Sequence, residues 1–537
     1  MNRRLRIAAA VLLVAVLLQC TGCMLWGGGF RAFENRTYVQ YEQSELDGLL
    51  REAELLSEDE ANAGALLKQY KKIVDAYWHT VNALQLSELY LDLDVSNEEL
   101  AEKYIANAQL YDYFYNEVKK TEKILVTSPA KEKLVEYMGE EYVAEVLSEV
   151  VLSDAQLQLK AEESRLTAQY ATLYQAGDRN GARALYPRLV SLRKKIAAAF
   201  GFDSYADYAY LGYGRAYTPE EAELLVDYVA KYLSPVWEGA LAAKPTEIYS
   251  YYLSEKSLLS EAYRVILELG GKSLSESFTY MKRYGLYDVS PSETKSEGAF
   301  VKGLSYYGDA FLFINPSESL VDLTTLVHEY GHYNYMMCGM GSGALDLLET
   351  HSQGLEILAL DAYPSVLGEK EARAVSAYTV MSGAWTVLSN LMFEAFEEYA
   401  FSLPEEVLLS DEAVALLEQE YTRLTAEFGL NTSVGMGNMQ YVDIPHIYSS
   451  PFYCISYTVS FLSAAQFGWM DFEGMSAVDA YQELIFSSST DYMEAIAEVG
   501  LLSPFEEQTV YSTALFMAEE LQALGVAVTV PEMQAAA

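Results

Sequence analysis

The 537-residue sequence contains little histidine, little cysteine and few basic residues. It has five histidines and four cysteines, and 36 lysines and arginines stand against 77 acidic residues, so the formal net charge is −41. A chain with this charge repels phosphate backbones and anionic lipid headgroups, which argues against a nucleic-acid partner. Only Cys338 and Cys454 follow residue 23. Two cysteines make no disulfide framework, and they are either free thiols or one disulfide.

Proline is absent between residues 30 and 128, where apolar residues recur at helical spacing. The same spacing continues to about residue 200, so we predict an N-terminal helical region at 24–197. The following region, 198–530, contains the clearest strand signal, an apolar run at 311–314, among further helices. The predicted fold is therefore mainly α, with one small β-sheet in the C-terminal half.

The first 23 residues carry the pattern of a signal peptide. Three arginines lie within residues 3–6, and an unbroken apolar run follows at 7–18. This run has the length of a signal-peptide core and is too short to span a membrane comfortably. Thr21-Gly22-Cys23 is similar to the end of a bacterial lipobox, so we predict a lipoprotein that is lipidated at Cys23 and bound to the membrane only there. An uncleaved anchor and a simple secretory signal are the alternatives, and all three predict a location outside the cytoplasm.

A histidine motif with metal-binding spacing lies on a helix predicted at about 318–337. His328 and His332 are four residues apart, about 40° around the helix axis, so both imidazoles point the same way. Two neutral imidazoles suit Zn²⁺. Glu329 lies to the side of the pair, where it can hold a water as general base without being a ligand. The motif is rare by chance in a chain with five histidines, and a histidine pair that binds nothing is the alternative.

A second helix, predicted at 345–362, carries candidates for a third ligand. Glu349 and Glu356 are seven residues apart and share one helix face. We predict that Glu349 completes a site for one zinc ion, since a catalytic zinc has three protein ligands and an open position. Glu356 is predicted to orient a ligating imidazole, with a solvated carboxylate as the alternative. His351 points to another side and is interpreted as structural, although a three-histidine site that includes it is the obvious competitor.

The two helices resemble the signature of the thimet oligopeptidase and oligoendopeptidase F family of zinc metallopeptidases. In that family an H-E-x-G-H helix is followed by a helix of the form E-x-x-S-x-x-x-E, whose first glutamate is the third zinc ligand. Here that second pattern begins at Glu349. Residues 201–208 and 313–315 are also similar to the family, and the resemblance covers about 195–525. It implies a zincin-like fold in which two helical lobes surround a deep channel.

The segment 443–457 resembles a later signature of the same family. The resemblance implies that His446, Tyr453 and Tyr457 face the substrate and the developing oxyanion. The two tyrosines lie four residues apart and share a helix face, whereas Tyr448 is a weaker candidate. Aromatic packing in the core is the alternative for each tyrosine.

Four of the five histidines, all but His79, lie in these three segments, which indicates that residues 328–457 form one site. The predicted function is that of a zinc-dependent endopeptidase that hydrolyses short peptides with a metal-activated water, and internal cleavage is implied by the family resemblance. Two alternatives remain open. One is a zinc carboxypeptidase of related helical plan, and the other is a lipid-anchored peptide-binding protein with an inactive metal site.

Overall fold

The computed structural model describes residues 32–148, 153–338, 345–432, 435–472, 474–487, 489 and 491–533. The predicted signal peptide at 1–23, with its lipidation residue Cys23, lies outside these residues. The described chain is mainly helical and contains one three-stranded sheet, which confirms the predicted fold class. Among the helices of these ranges, none combines the length and the apolar character needed to cross a membrane.

The chain forms two compact units. The first unit combines the residues up to 151 with 276–318, and the second combines 152–275 with the residues from 319 onward. The division predicted from sequence, into regions at 24–197 and 198–530, stays a prediction.

The first unit begins with a group of helices. They are α1 (Gln43–Ser57), α2 (Ala63–Leu93), α3 (Glu98–Thr127), α4 (Glu132–Met138) and α5 (Glu140–Ser148). Helices α2 and α3 are long because neither contains a proline, which would remove a hydrogen bond inside the helix. Their apolar faces pack with α1 around a core that includes Leu46, Leu66, Ile73, Phe114 and Leu125.

The sheet of the first unit is formed by β1 (Tyr287–Asp288), β2 (Ala299–Leu304) and β3 (Asp309–Ile314). Strand β3 is central, pairs in parallel with β1 and pairs antiparallel with β2. Phe300 lies opposite Phe313 and the two rings stack at 4.6 Å. The apolar run predicted as a strand at 311–314 lies within β3, and its burial explains the continuous apolar sequence.

The second unit is built from helices throughout its described residues. In chain order they are α6 (Asp154–Gln175), α7 (Arg179–Ala199), α8 (Tyr205–Gly212), α9 (Pro219–Tyr232), α10 (Ser234–Ala242), α11 (Glu255–Leu269), α12 (Lys272–Tyr284, divided by the boundary between the units), α13 (Val321–Cys338), α14 (Leu345–Val366), α15 (Glu369–Ser402), α16 (Glu405–Leu408), α17 (Ala413–Glu427), α18 (Pro445–Ser449), α19 (Ile455–Ala464), α20 (Gln466–Trp469), α21 (Ala477–Ile485), α22 (Tyr492–Glu498) and α23 (Glu507–Ala523).

Helix α14 lies in the interior of the second unit, where it packs against α11, α13 and α19. Most of its residues are buried, including polar ones such as Glu349, Thr350 and Ser352. Buried polar groups need hydrogen-bond partners. Thr350 Oγ1 donates to the carbonyl of Asp346 at 2.7 Å, and Ser352 Oγ donates to the carbonyl of Glu349 at 3.0 Å. The helix therefore holds a carboxylate inside the unit on a rigid support.

Candidate metal centre

Close packing of α13 on α14 brings the predicted ligands together. Gly331 lies at the contact, where an added Cβ would be 2.6 Å from Cα of Ser352 and 2.8 Å from the carbonyl oxygen of His351. No larger residue leaves room for this approach without a backbone shift. His328 lies one helical turn before Gly331, and His332 follows it directly. Both imidazoles point toward Glu349 on α14.

The two imidazoles converge on one carboxylate. Glu349 Oε2 lies 3.8 Å from His328 Nε2 and 3.7 Å from His332 Nε2. The ligand atoms that the three residues offer all lie within 4.8 Å of one another. A tetrahedral ion with bonds of about 2.0–2.2 Å places its ligand atoms roughly 3.3–3.6 Å apart. The three atoms are thus close to the separation that a single zinc ion requires.

A further hydrogen bond fixes each imidazole. His328 Nδ1 lies 2.6 Å from Glu356 Oε1, and the His332 ring is hydrogen-bonded to the backbone of Leu348. Such partners orient ligating imidazoles and increase their basicity toward the metal. The structure thus places the Glu356 carboxylate beside an imidazole, where it can orient that ring as the sequence predicts.

Three carboxylates, two of them buried and that of Glu356 half-buried, accompany the two histidines of the cluster. Burial raises the pKa of Glu349, and burial together with Glu349 and Glu356 raises the pKa of Glu329 to about 7, although His328 acts in the opposite direction. For His328, burial lowers the pKa, but the hydrogen bond to Glu356 and the nearby acids outweigh this effect and raise it to about 9. A divalent cation would neutralise this surplus of negative charge.

Glu329 lies beside the ligands and is not grouped with them. It is only 7% exposed, and its Oε2 has no hydrogen-bond partner among the described residues. A buried carboxylate oxygen is costly to leave without a partner, and a water between the ion and Glu329 would provide one. The residues therefore fit a zinc ion of the catalytic type, with two imidazoles, one carboxylate and an open position.

The late segment groups three further side chains. His446 lies on α18, and its ring stacks on that of Tyr453 with the centroids 5.6 Å apart. The ring of Tyr457, on α19, lies 6.5 Å from His446 and 5.6 Å from Tyr453. Both tyrosines are half-buried, and after the larger effect of burial the Glu349 carboxylate also raises the pKa of each. His446 and Tyr457 also line the same cavity as the predicted metal ligand His328.

A cavity of about 490 Å³ lies between the metal-binding helices and the late segment. Its walls include the predicted ligand His328 and its partner Glu356 on one side, and His446 and Tyr457 on the other. Hydroxyl and aromatic side chains supply much of the remaining lining, among them Thr324, Thr325, Tyr378, Thr379, Trp385 and Phe393. The volume lies within the range of about 300–1,000 Å³ that is usual for small-molecule sites.

Two residues considered from sequence lie in the core instead. Tyr448 is fully buried and stacks on Tyr170 with the centroids 3.7 Å apart, so core packing accounts for it. His351 is also fully buried and stacks on Tyr335 at 4.4 Å, and burial lowers its pKa to about 3. In the described part of the chain it does not belong to the group that could hold a metal, in agreement with the structural interpretation.

The structure also contains features that the sequence did not reveal. Cys338 and Cys454 are free thiols, so the disulfide alternative is excluded. Arg215, in the loop between α8 and α9, reaches the backbone of the late segment at Phe452 and Tyr453. No motif or spacing pointed to this residue, because the contact joins parts of the chain that are far apart in sequence.

Gly331→Ala tests the close contact between α13 and α14. The added methyl group would displace the backbone of α14, and such overpacking typically costs about 1–3 kcal/mol. We expect a lower free energy of unfolding in urea and weaker zinc binding, because the histidines move away from Glu349. Gly48→Ala, at an exposed position of α1 with nothing within 4 Å of the new Cβ, is the matched control. It should keep the zinc affinity and should have an equal or slightly higher free energy of unfolding, because alanine favours a helix more than glycine does. Unchanged zinc affinity in Gly331→Ala would show that this contact does not position the ligands.

The fold and the ligand set define the class of the protein. A mainly helical chain presents an H-E-x-x-H pair on one helix and a glutamate on the next, which is the arrangement of the zincin type of metal site. Residues 273–514 match the sequence profile of peptidase family M3. The match spans a little less than half of the chain and agrees with the resemblance to oligoendopeptidase F seen in the sequence.

Two curated relatives come from Lactococcus lactis. They are the plasmid oligoendopeptidase F of subsp. cremoris and an oligoendopeptidase F homolog of subsp. lactis strain IL1403, and each is 28% identical, over 228 and 229 residues respectively. Each match covers 40% of this chain and 37% of the relative. The chain thus matches little more than a third of the length of these relatives.

Solved structures share the fold over almost the whole chain. A PZ peptidase A with an inhibitor has a TM-score of 0.68 at 17% identity and covers 91% of this chain and 99% of its own. A candidate oligoendopeptidase F from Bacillus anthracis str. Ames has a TM-score of 0.67 at 18% identity. The match covers 92% of this chain and 98% of that structure's chain. At these identities the likeness establishes the fold alone.

Proposed function

We propose that the chain is a zinc-dependent endopeptidase that hydrolyses bonds within short peptides. The observation that carries this proposal is the convergence of His328, His332 and Glu349, with the buried carboxylate of Glu329 beside them. A binding protein would not need a buried general base next to an open metal position. The family match and the curated oligoendopeptidases support peptides as substrates.

The residues of the site have distinct roles in this proposal. The two imidazoles and Glu349 would hold a zinc ion, which when bound would supply Lewis acidity and lower the pKa of a bound water to about 7. Glu329 accepts the proton of the attacking water on a carboxylate oxygen and later delivers it to the leaving amine.

The late segment stabilises the charge that develops on the scissile carbonyl. His446 and Tyr457 line the cavity beside His328, and the Tyr453 ring stacks on that of His446. Each of the three carries a hydrogen-bond donor. Donors directed at the position of the oxyanion typically contribute about 10²–10³ in rate. Both tyrosines are half-buried, and Tyr457 lines the cavity itself.

Zinc removal and a blocked peptide together test the function. We expect the purified chain to cleave a short internally quenched peptide, to lose this activity with a chelator, and to regain it when zinc is added. An N-acetylated and C-amidated peptide should be cut at internal bonds, as identified by mass spectrometry. Cleavage restricted to free C-termini would support the carboxypeptidase alternative. Peptide binding without hydrolysis by the zinc-loaded chain would support the binding-protein alternative.

We also propose that the chain is exported and anchored as a bacterial lipoprotein. The support is the sequence pattern at 1–23, with arginines before the apolar run and Thr21-Gly22-Cys23 after it. Mass spectrometry of the mature N-terminus tests this proposal. A lipid-modified Cys23 is the expected first residue, and an unprocessed N-terminus would contradict it.

A further inference from the structure

One arginine contacts the backbone that carries the two candidate oxyanion tyrosines. Arg215 Nη2 donates to the carbonyl oxygen of Phe452 at 2.5 Å, to that of Tyr453 at 3.3 Å and to Ser456 Oγ at 3.0 Å. The acceptors lie on either side of the turn that leads into α19. Charged donors form stronger hydrogen bonds than neutral ones, so this guanidinium can fix the course of the backbone from Phe452 to Ser456.

The backbone at Phe452 needs such support. Phe452 has a φ of 61°, in the left-handed region that a phenylalanine rarely adopts. Its N–H donates to Glu397 Oε2 at 2.9 Å, and its carbonyl accepts from Arg215. Tyr213 donates to the carbonyl of Pro451, the preceding residue, at 3.1 Å. Side chains from outside the segment therefore hold both sides of the strained residue.

The same arginine also leads to the helix that carries the third metal ligand. Its guanidinium lies over the rings of Tyr210 and Tyr217, 4.2 Å and 5.5 Å from their centroids. The Tyr217 hydroxyl is 3.3 Å from Oδ1 of Asp346, in the first turn of α14. The carbonyl of Asp346 accepts from Ser460 Oγ, on α19, at 2.8 Å. Arg215 thus lies between the helix of Glu349 and the helix of Tyr457.

Arg215 also has an electrostatic effect on the buried acids near the late segment. Three buried acids, Asp346, Glu394 and Glu397, interact electrostatically with it. Burial raises the pKa of Glu394 to about 7, and Arg215 counteracts this rise. Nε and Nη1 of the arginine are buried as well. Loss of the cation would leave these carboxylates without their counter-charge and would release the turn at Phe452.

We propose that Arg215 is a positioning residue, which holds Tyr453 and Tyr457 at a fixed place relative to Glu349 so that their hydroxyls meet the reacting carbonyl. The inference rests on the proposed function. Arg215 does not line the cavity next to the metal ligands. It acts through the backbone of the late segment.

Arg215→Gln removes the cation and the Nη2 donor that contacts the late segment. We expect kcat for the quenched peptide to fall at least about tenfold, because part of the oxyanion stabilisation, typically about 10²–10³ in rate, is lost. KM should stay within about threefold and the chain should keep one zinc, because Arg215 touches neither substrate nor metal. Arg215→Lys keeps the charge but can reach fewer acceptors, so it should restore kcat in part.

A double-mutant cycle separates positioning from general stability. Tyr453→Phe and Tyr457→Phe together remove the hydroxyls that Arg215 is proposed to hold. In that background Arg215→Gln should reduce kcat less than about threefold further, since the effects of coupled residues do not multiply. Arg36→Gln in the first unit is the matched control. Arg36 is a buried arginine that is paired with Asp309, and its loss should lower the melting temperature and leave kcat unchanged.

The outcomes distinguish this inference from the proposed function. If the wild-type chain loaded with zinc cleaves no peptide, the function fails and the inference fails with it. If the wild type is active and the Arg215→Gln loss multiplies with that of the tyrosines, the positioning role is overturned and the function stands. The positioning role is also overturned if Arg215→Gln loses its zinc. Should Arg215→Gln fail to fold, Arg215→Lys carries the same cycle.

Discussion

Glu329→Gln is expected to retain zinc and to lose turnover of a quenched peptide by about 10²–10⁴-fold or more. The amide has almost the same shape as the carboxylate, and Glu329 does not belong to the three-residue metal cluster, so the ion should stay. The glutamine amide cannot accept a proton at neutral pH, however, so the general-base contribution of Glu329 disappears. Single-turnover assays and the zinc content of the same preparation measure both quantities.

Glu329→Asp is the matched control for this substitution. It keeps the charge but withdraws the carboxylate by one methylene, so we expect an activity between those of the wild type and Glu329→Gln, with zinc again retained. Near-normal turnover by Glu329→Gln would show that another group removes the proton. Loss of zinc from Glu329→Gln would instead place this residue among the ligands.

Glu349→Ala is expected to abolish stoichiometric zinc binding, and with it activity, because two imidazoles alone do not complete the site. Glu356→Gln should weaken zinc binding by about 10–100-fold, because the orienting hydrogen bond to His328 changes while all three ligands remain. Competition with a chromophoric chelator of known affinity would measure both effects.

His351→Asn provides the control within α14. His351 is buried in the same helix and stacks on Tyr335, and its ring lies outside the described metal cluster. The variant is expected to lose stability and to bind zinc with the affinity of the wild type. An equal loss of zinc in His351→Asn and Glu349→Ala would support the alternative of a three-histidine site.

Local geometry explains why the metal cluster could be predicted from the sequence. Helical periodicity alone puts His328 and His332 on one face and Glu349 and Glu356 on another. The helix that carries the histidines begins at Val321 and not near 318. The reason is local, since residue 318 has a φ of 58°, which is incompatible with a right-handed helix.

Tertiary contacts explain why the other residues could not be predicted with the same precision. A tyrosine has the same pattern in sequence whether it faces a cleft or the core. Tyr448 stacks on Tyr170 in the interior, whereas Tyr453 stacks on His446. The difference lies in tertiary packing. Arg215 contacts Phe452 across 237 positions of the chain, a distance at which periodicity carries no information.

The ligands of the metal lie within one short stretch of chain, whereas the groups proposed to stabilise the oxyanion come from a segment about a hundred residues later. Ion retention should consequently depend on a pair of adjacent helices, while turnover depends on the integrity of the entire second unit. We expect mild denaturation to abolish peptide hydrolysis before the zinc ion is released. A zinc-replete preparation would then contain inactive molecules, and metal content by itself would overstate the fraction of competent enzyme.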